Sequence, residues 1–222
     1  RVVRKSSSHK VKGMPNISLQ VLSFYALQYS MAEMYSTLKL VEGREKSAQF
    51  LHPWIFSRAL APVPRDVRHG SLVRVMSHTG ECVGVGTYSA HTSIAVRLWD
   101  FCDTVIDGAW IERTIRAAQH RREQSGFGPG THTTGYRVIF AEADNMPGVI
   151  IDRYGDVFVL QVATAGAEQL KQLICEVLVQ IFHPSAIIER SDTGIRADEE
   201  LSESVGVIYG NFGAGGDVGT DT

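Results

Sequence analysis

Hydrophobic and polar positions change period several times along the chain, and each change predicts a new element. Between Ser71 and Trp99 the apolar residues fall into three short runs, SLVRVMS (71–77), CVGVGTY (82–88) and IAVRLW (94–99). Thr79-Gly80 separates the first two. Runs of this length, rich in Val and Ile and bounded by turn residues, predict β-strands; several so close together predict a small barrel. The pattern then turns helical in IDGAWIERTIRAAQHRRE (106–123). Ile111, Ile115 and Ala118 share one face, and Arg113, Arg116, Arg121 and Arg122 cover much of the rest. Asp107 is placed to cap the first turn, and the loop SGFGPGTHTTG ends the helix. Beyond it, YRVIFAE (136–142), GVIID (148–152) and DVFVLQVA (156–163) predict strands. GAEQLKQLICEVLVQIF (166–182) returns to helical spacing through Leu170, Leu173, Ile174, Val177 and Ile181. SAIIER (185–190) and VGVIYG (205–210) predict the last strands.

The densest run of chemical groups is AEADNMPGVIIDRYGD (141–156), with Glu142, Asp144, Asp152 and Asp156. All four lie at strand ends, beside the turn residues Pro147-Gly148 and Tyr154-Gly155. Carboxylates at turns cap backbone amides or stay solvated. No nucleophile or metal cluster accompanies them, so they read as structural.

Composition bounds the rest. The chain has 222 residues, 44% hydrophobic and 21% charged, enough for one or two small domains. No apolar run approaches the roughly 18 residues of a membrane span. Cys82, Cys102 and Cys175 are far apart and form no C-x-x-C, which indicates neither a disulfide framework nor a zinc site. The eight histidines show no paired metal spacing, and Trp54 of His52-Pro53-Trp54 is expected to plug the barrel core. The net charge of −2 conceals an asymmetry: residues 1–137 carry 18 Lys and Arg against 10 Asp and Glu, and residues 138–222 carry 4 against 14. The first part could face a polyanion; two differently solvated domains would give the same balance. Residues 1–36 hold no acid before Glu33 and resemble a transit peptide, or equally a gene-model end. The run VGVIYGNFGAGGDVG has the look of a Rossmann turn, but its glycines lack a following helix and read as a tail.

Four separated blocks carry a family resemblance: VEGREKSAQFLHPWIFSRAL (41–60), GVGTYSAHTSIAVRLW (84–99), YRVIFAEADNMPGVIIDRYGDVFVLQVATAGAE (136–168) and IIERSDTGIR (187–196). In order and spacing they resemble the N-terminal half of the bacterial large-subunit ribosomal RNA cytosine-5 methyltransferases, over about Leu38 to Gly210. The resemblance implies an α+β fold: a small PUA-like β-barrel followed by a strand–strand–helix–strand–strand domain, with the Rossmann-like methyltransferase domain absent. The expected divisions are an extension at 1–36, the RNA-binding barrel at 37–106, a helix and linker at 107–135, the α+β domain at 136–210 and a Gly-rich tail at 211–222. By the same resemblance the partner is ribosomal RNA, with Arg44, Lys46, His52, Arg58 and Arg97 as RNA-binding residues. No membrane or metal is expected, and a homodimer is left open. No cofactor is expected in this chain; S-adenosylmethionine would serve the intact family member, whose catalytic cysteine lies in the domain taken as absent. The location implied is cytoplasmic, or organellar if residues 1–36 are a transit peptide. Two positions depart from the family: Phe50 and Leu51 stand where two basic residues precede His-Pro-Trp, and Glu200 replaces the glycine of Glu-Gly-Leu. The competing class is a stand-alone, non-catalytic PUA-type RNA-binding or ribosome-assembly protein.

Overall fold

The computed structural model describes residues 35–211 except Pro129, and leaves the side chain of Ser47 undescribed. The extension expected over 1–36 and the Gly-rich tail lie almost wholly outside these residues.

Five short strands build the first half: β1 (Ser36–Lys39), β2 (Trp54–Phe56), β3 (Leu72–Met76), β4 (Cys82–Tyr88) and β5 (Ile94–Asp100). Their order is β1-β3-β4-β5-β2, with β1 parallel to β3 and the other pairs antiparallel. The sheet closes on itself beyond β2. Val41 donates to the Ala59 carbonyl at 2.9 Å and Ala61 to that of Lys39 at 2.8 Å, with Leu40 bridged to Leu60. Closure removes the free edges that a five-stranded sheet would otherwise expose. Leu38, Leu40, Ile55, Val73, Val75, Val96 and Leu98 fill the interior. Gly86 is required where β4 crosses β5, because a Cβ there would lie 2.3 Å from the Arg97 carbonyl oxygen.

The second half is a five-stranded sheet in the order β10-β9-β8-β7-β6. Its strands are β6 (Gly135–Phe140), β7 (Val149–Tyr154), β8 (Val157–Val162), β9 (Ala186–Ser191) and β10 (Ser204–Gly210). Three strands precede the helix, so the strand–strand–helix–strand–strand order is corrected by one strand, the edge strand β6. Two long helices read from the sequence and two single turns of helix complete the framework: α1 (Lys46–Gln49), α2 (Gly108–Gln124), α3 (Ala165–Phe182) and α4 (Ile195–Asp198). Helix α3 connects β8 to β9, which pair in parallel, whereas the other pairs of this sheet among the described residues are antiparallel. Asp107 caps α2 by accepting from the Trp110 amide at 2.8 Å, and Thr164 caps α3 through the Ala167 amide at 3.3 Å. Ile111, Ile115 and Ala118 of α2 pack with Ile174 and Leu178 of α3 and with Ile139, Ile151, Phe158 and Leu160 of the sheet.

Barrel and sheet share this core, because Val85 and Trp99 of the barrel belong to it. Gly166 lets the start of α3 sit against β4; a Cβ there would come within 2.2 Å of the Thr87 Cβ. Trp54 is half-buried and is not the barrel plug expected of it: its indole N–H donates to Glu142 at 2.9 Å and ties β2 to the second half. The strongest tie is Glu199, 1% exposed. Its carboxylate accepts from Arg97 at 2.7 Å and from the Ala165 amide at 3.4 Å, and its carbonyl lies 2.9 Å from Nε2 of His69.

Three of the carboxylates of residues 141–156, those of Glu142, Asp144 and Asp152, hold other parts of the fold, whereas Asp156 contributes its main-chain carbonyl. Asp144 is buried and accepts from Arg121 at 2.7 Å, from both terminal nitrogens of Arg122, and from the Phe140 amide at 2.8 Å. Burial pushes its pKa up, but the two guanidiniums and the amide outweigh burial and hold the carboxyl below its ordinary value. Asp152 pairs with Arg137 at 2.7 and 2.9 Å, and the Asp156 carbonyl accepts from the Ser185 amide at 2.9 Å.

Glu199→Ala should cost about 3–5 kcal/mol in urea denaturation, because Arg97 keeps a buried, unpaired charge. The double change Arg97→Met with Glu199→Leu should cost less than Glu199→Ala alone; a larger cost would show that the pair holds the fold by attraction. Asp144→Asn should cost about 2–3 kcal/mol at neutral pH, discounted because Arg121 is half exposed. A carboxyl lowered by folding stabilises above its unfolded pKa of about 4 and loses that contribution as pH falls through the folded value. The gap between wild type and Asp144→Asn should therefore close in acid, and a gap constant down to pH 2 would refute the pairing. Glu200 occupies the left-handed region at φ 54, where a side chain is strained. Glu200→Gly should raise stability by about 0.5–1 kcal/mol, less whatever its contact with His91 at 3.2 Å contributes. A lower melting temperature would contradict the strain.

Candidate nucleic-acid interface

Several cations of the barrel gather where the sheet closes, although Arg65, Arg68, Arg74 and Arg97 lie elsewhere. A turn through Gly43 (φ 78), closed by the Arg44 amide on the Val41 carbonyl at 3.1 Å, presents Arg44. Helix α1 follows with Lys46 on its first position and packs on β2. Leu51, at φ 57, reverses the chain into His52-Pro53-Trp54. The His52 ring accepts from the Trp54 amide at 3.2 Å and meets the indole edge-on at 5.5 Å. Arg58 stands in the helical turn Ser57–Ala59, brought beside the Val41–Arg44 turn by the Val41–Ala59 hydrogen bond. Arg44, Lys46, His52 and Arg58 are exposed, and none makes an ion pair among the described residues.

Arg97 stands apart from these four. It pairs across from Trp54 on β5, its side chain is 11% exposed, and its guanidinium holds Glu199. The geometry makes it a link between the two halves of the fold. One cation of the seam was missed: Lys39 is exposed between buried Leu38 and Leu40. The strand period of β1 carried that signal, but four residues are too few to reveal it. Phe50 and Leu51, 84% and 67% exposed, replace charge with apolar surface on the same seam.

Other chemistry is quiet. Burial raises the Cys82 thiol and pushes Cys175 up to about 11, so both remain protonated at neutral pH. A cleft of about 480 Å³ beside α1 holds Glu45, Ser77, His78 and Cys82. There the His78 hydrogen bond at 2.7 Å lowers Glu45 to about 2 and raises His78. Among the described residues no group of three or more His, Cys, Asp or Glu could hold a metal ion, and no helix is long and apolar enough to cross a membrane. A groove of about 500 Å³ between the end of α2 and β6 was not foreseen; Arg121, Arg122, Arg137, Phe127, Tyr136 and Phe140 line it.

Comparison with known proteins agrees with a barrel of this kind. Residues 38–101 match the profile of the PUA-like domain family. Ribosomal RNA large subunit methyltransferase I of Vibrio vulnificus (strain CMCP6) is 42% identical over 179 residues, which cover 81% of this chain and 45% of the relative. The protein of the same name from Aliivibrio fischeri (strain MJ11) is 38% identical over 178 residues, covering 80% and 44%. A solved structure described as a SAM-dependent methyltransferase from Streptococcus mutans matches with a TM-score of 0.64 at 18% identity, over 79% of this chain and 43% of that one. A methyltransferase solved with SAH matches with a TM-score of 0.65, also at 18% identity, over 81% and 44%. At this identity the two structures speak for the fold alone. They also overturn the expectation that a Rossmann-like methyltransferase domain is absent. The fold matches methyltransferases, and the match takes in less than half of their length, so this chain gives no ground for the absence. The chain spans less than half the length of the curated relatives it matches. It carries a PUA-like domain at residues 38–101, within a stretch similar to the large-subunit ribosomal RNA methyltransferases of Vibrio and Aliivibrio.

Proposed function

We propose that this chain is the RNA-binding portion of a cytoplasmic, S-adenosylmethionine-dependent ribosomal RNA methyltransferase that acts at cytosine C5. The observation that carries the reading is the seam of Arg44, Lys46, His52 and Arg58, exposed and without ion pairs among the described residues, on a PUA-like barrel. Three guanidinium or ammonium groups on one closing seam bind phosphate oxygens and set the orientation of an RNA without reading its bases. Base recognition and methyl transfer belong to the whole protein. In the C5 chemistry a cysteine thiolate adds to the base, and the two buried or half-buried thiols described above do not supply it. Arg97 serves this reading indirectly, by fixing β5 and therefore β2 and its seam.

The test is binding to a large-subunit ribosomal RNA fragment over a salt series, followed by fluorescence anisotropy. Each phosphate contact contributes a slope of about −0.7 to −0.9 in log K against log salt. Three or four contacts should therefore give a slope near roughly −2 to −3.5. Reversing Arg44, Lys46 and Arg58 together to Glu should weaken binding and flatten that slope. Arg190→Glu should matter little, since Arg190 is an exposed partner of Asp192 in the acidic half. Arg196 is no fair control, because it is buried against Glu168 and the Val162 carbonyl. Unchanged affinity and slope in the triple variant would remove the RNA surface from the seam.

A further inference from the structure

The groove between α2 and β6 combines cations and aromatic rings on a rigid base. A bulge in β6 between Arg137 and Ile139 sets it up. The extra residue buries both Val138 and Ile139 and leaves Arg137 and Phe140, opposite Asp152 and Ile150, on the same outer face of the sheet. The Arg137 guanidinium lies over the Phe140 ring, 5.1 Å from its centroid, and Phe140 is still 51% exposed. Phe127 faces the groove at 42% exposure, from the loop that leaves α2. The rim cannot shift freely. Arg122 donates to the Arg137 carbonyl at 3.1 Å, and Asp144 accepts from the Phe140 amide, so the polar edge of β6 is capped by the cluster that anchors α2.

Charge decides what fits. Arg121 and Arg122 share the single carboxylate of Asp144, so this cluster keeps one positive charge, and Arg121 is half exposed beside the groove. Arg121 also lines a second hollow with Asp100, Asp144 and Arg113; Asp100 is taken by the Trp110 indole and Asp144 by Arg121 and Arg122, while Arg113 is exposed and makes no ion pair among the described residues. Eight residues of helix separate Arg113 from Arg121, about 12 Å. Protein-binding cores are depleted of charge, whereas single-stranded nucleic acid is held by cations along the backbone and aromatic faces under the bases. The opening, about 500 Å³, falls within the roughly 300–1,000 Å³ range of small-ligand pockets.

We propose that this groove receives an unpaired base of the RNA, stacked against Phe140 and Phe127, with the flanking phosphates on Arg121 and Arg113. The proposal rests on the RNA-binding reading above and adds a second contact, outside the barrel. RNA would then cross the molecule from the barrel seam to α2, and discrimination in favour of unpaired segments would come from the second half of the fold.

The experiment uses the full chain and a ribosomal RNA hairpin with 5-iodouridine in its loop, beside a fully paired duplex of the same length. Irradiation should crosslink the loop to Phe127 or Phe140, located by mass spectrometry of the peptides. Phe140→Ala and Phe127→Ala should each weaken hairpin binding by about fivefold or more, the expected loss for one stacked base, and leave the duplex unaffected. Phe140→Leu, which keeps the apolar bulk without the ring, should lose as much as Phe140→Ala; thermal melting confirms that each variant is folded. If the hairpin binds, the barrel triple variant loses it, and both phenylalanine variants bind it unchanged, the groove proposal is overturned and the barrel reading stands. If the unaltered chain binds neither RNA, both fall. Should Phe140→Ala instead abolish a self-association seen in sedimentation without touching RNA binding, the groove is a contact between protein copies and the proposal is overturned.

Discussion

The carboxylate of Glu199 is almost fully removed from water, and a buried charge must find partners or be lost. It finds them in two places at once: the Arg97 guanidinium of the barrel and the first amide of α3. The partners lie 102 and 34 residues away in the chain, so neither the barrel nor the helix can move without stranding the charge. Three residues earlier, Arg196 is buried in the opposite sense. It donates to the Val162 and Ser202 carbonyls and to Glu168, all in the second half. The short helix α4 therefore reaches toward the barrel with one residue and into the α+β layer with another. Its left-handed exit at Glu200 turns the chain toward β10. The clasp reaches the barrel seam through β2, because Arg97 of β5 lies directly across from Trp54.

The clasp changes the meaning of the charge asymmetry. A basic first part and an acidic second part suggest two bodies with different surroundings. Much of the opposition is instead consumed inside one molecule. Arg97 meets Glu199, Arg121 and Arg122 meet Asp144, and Arg137 meets Asp152; in each case the cation comes from the first 137 residues and the carboxylate from the rest. The acids of the hairpin thus complement the arginines of α2 and β6. Their place at strand ends follows, since an end is where a side chain can reach a neighbouring element.

What could be read from the sequence divides along a physical line. Strands β3 to β5 and helices α2 and α3 were legible because each is long enough for its period to show, and Asp107 announced a cap. The edge strand β6 was legible as a run, yet the resemblance counted one strand fewer. β1 and β2 have four and three residues and no readable period, so the sequence shows neither the outward side of Lys39 nor that Trp54 is only half-buried instead of plugging the barrel core. Arg97 resembles the other cations in sequence; only a contact across 102 residues separates it from them. The α2–β6 groove was hidden for a further reason. It depends on a bulge, and one extra residue in a strand reverses which side chains share a face.

Removing the internally paired arginines leaves a modest set of outward cations on the described surface: those of the barrel seam, Arg65 and Arg68 ahead of β3, and Arg113 on α2 among them. Such a surface attracts RNA weakly through charge alone. Affinity and selectivity must then come from shape and stacking, terms that grow with the rigidity of the groups offered. Rigidity is what the buried pairs supply. Arg122 and Asp144 immobilise β6 at the groove, and Glu199 immobilises β5 behind the seam. The arginines committed to internal pairs fix the positions of those that remain, so a fold that spends Arg97, Arg122 and Arg196 on its own carboxylates gains a definite arrangement of the rest.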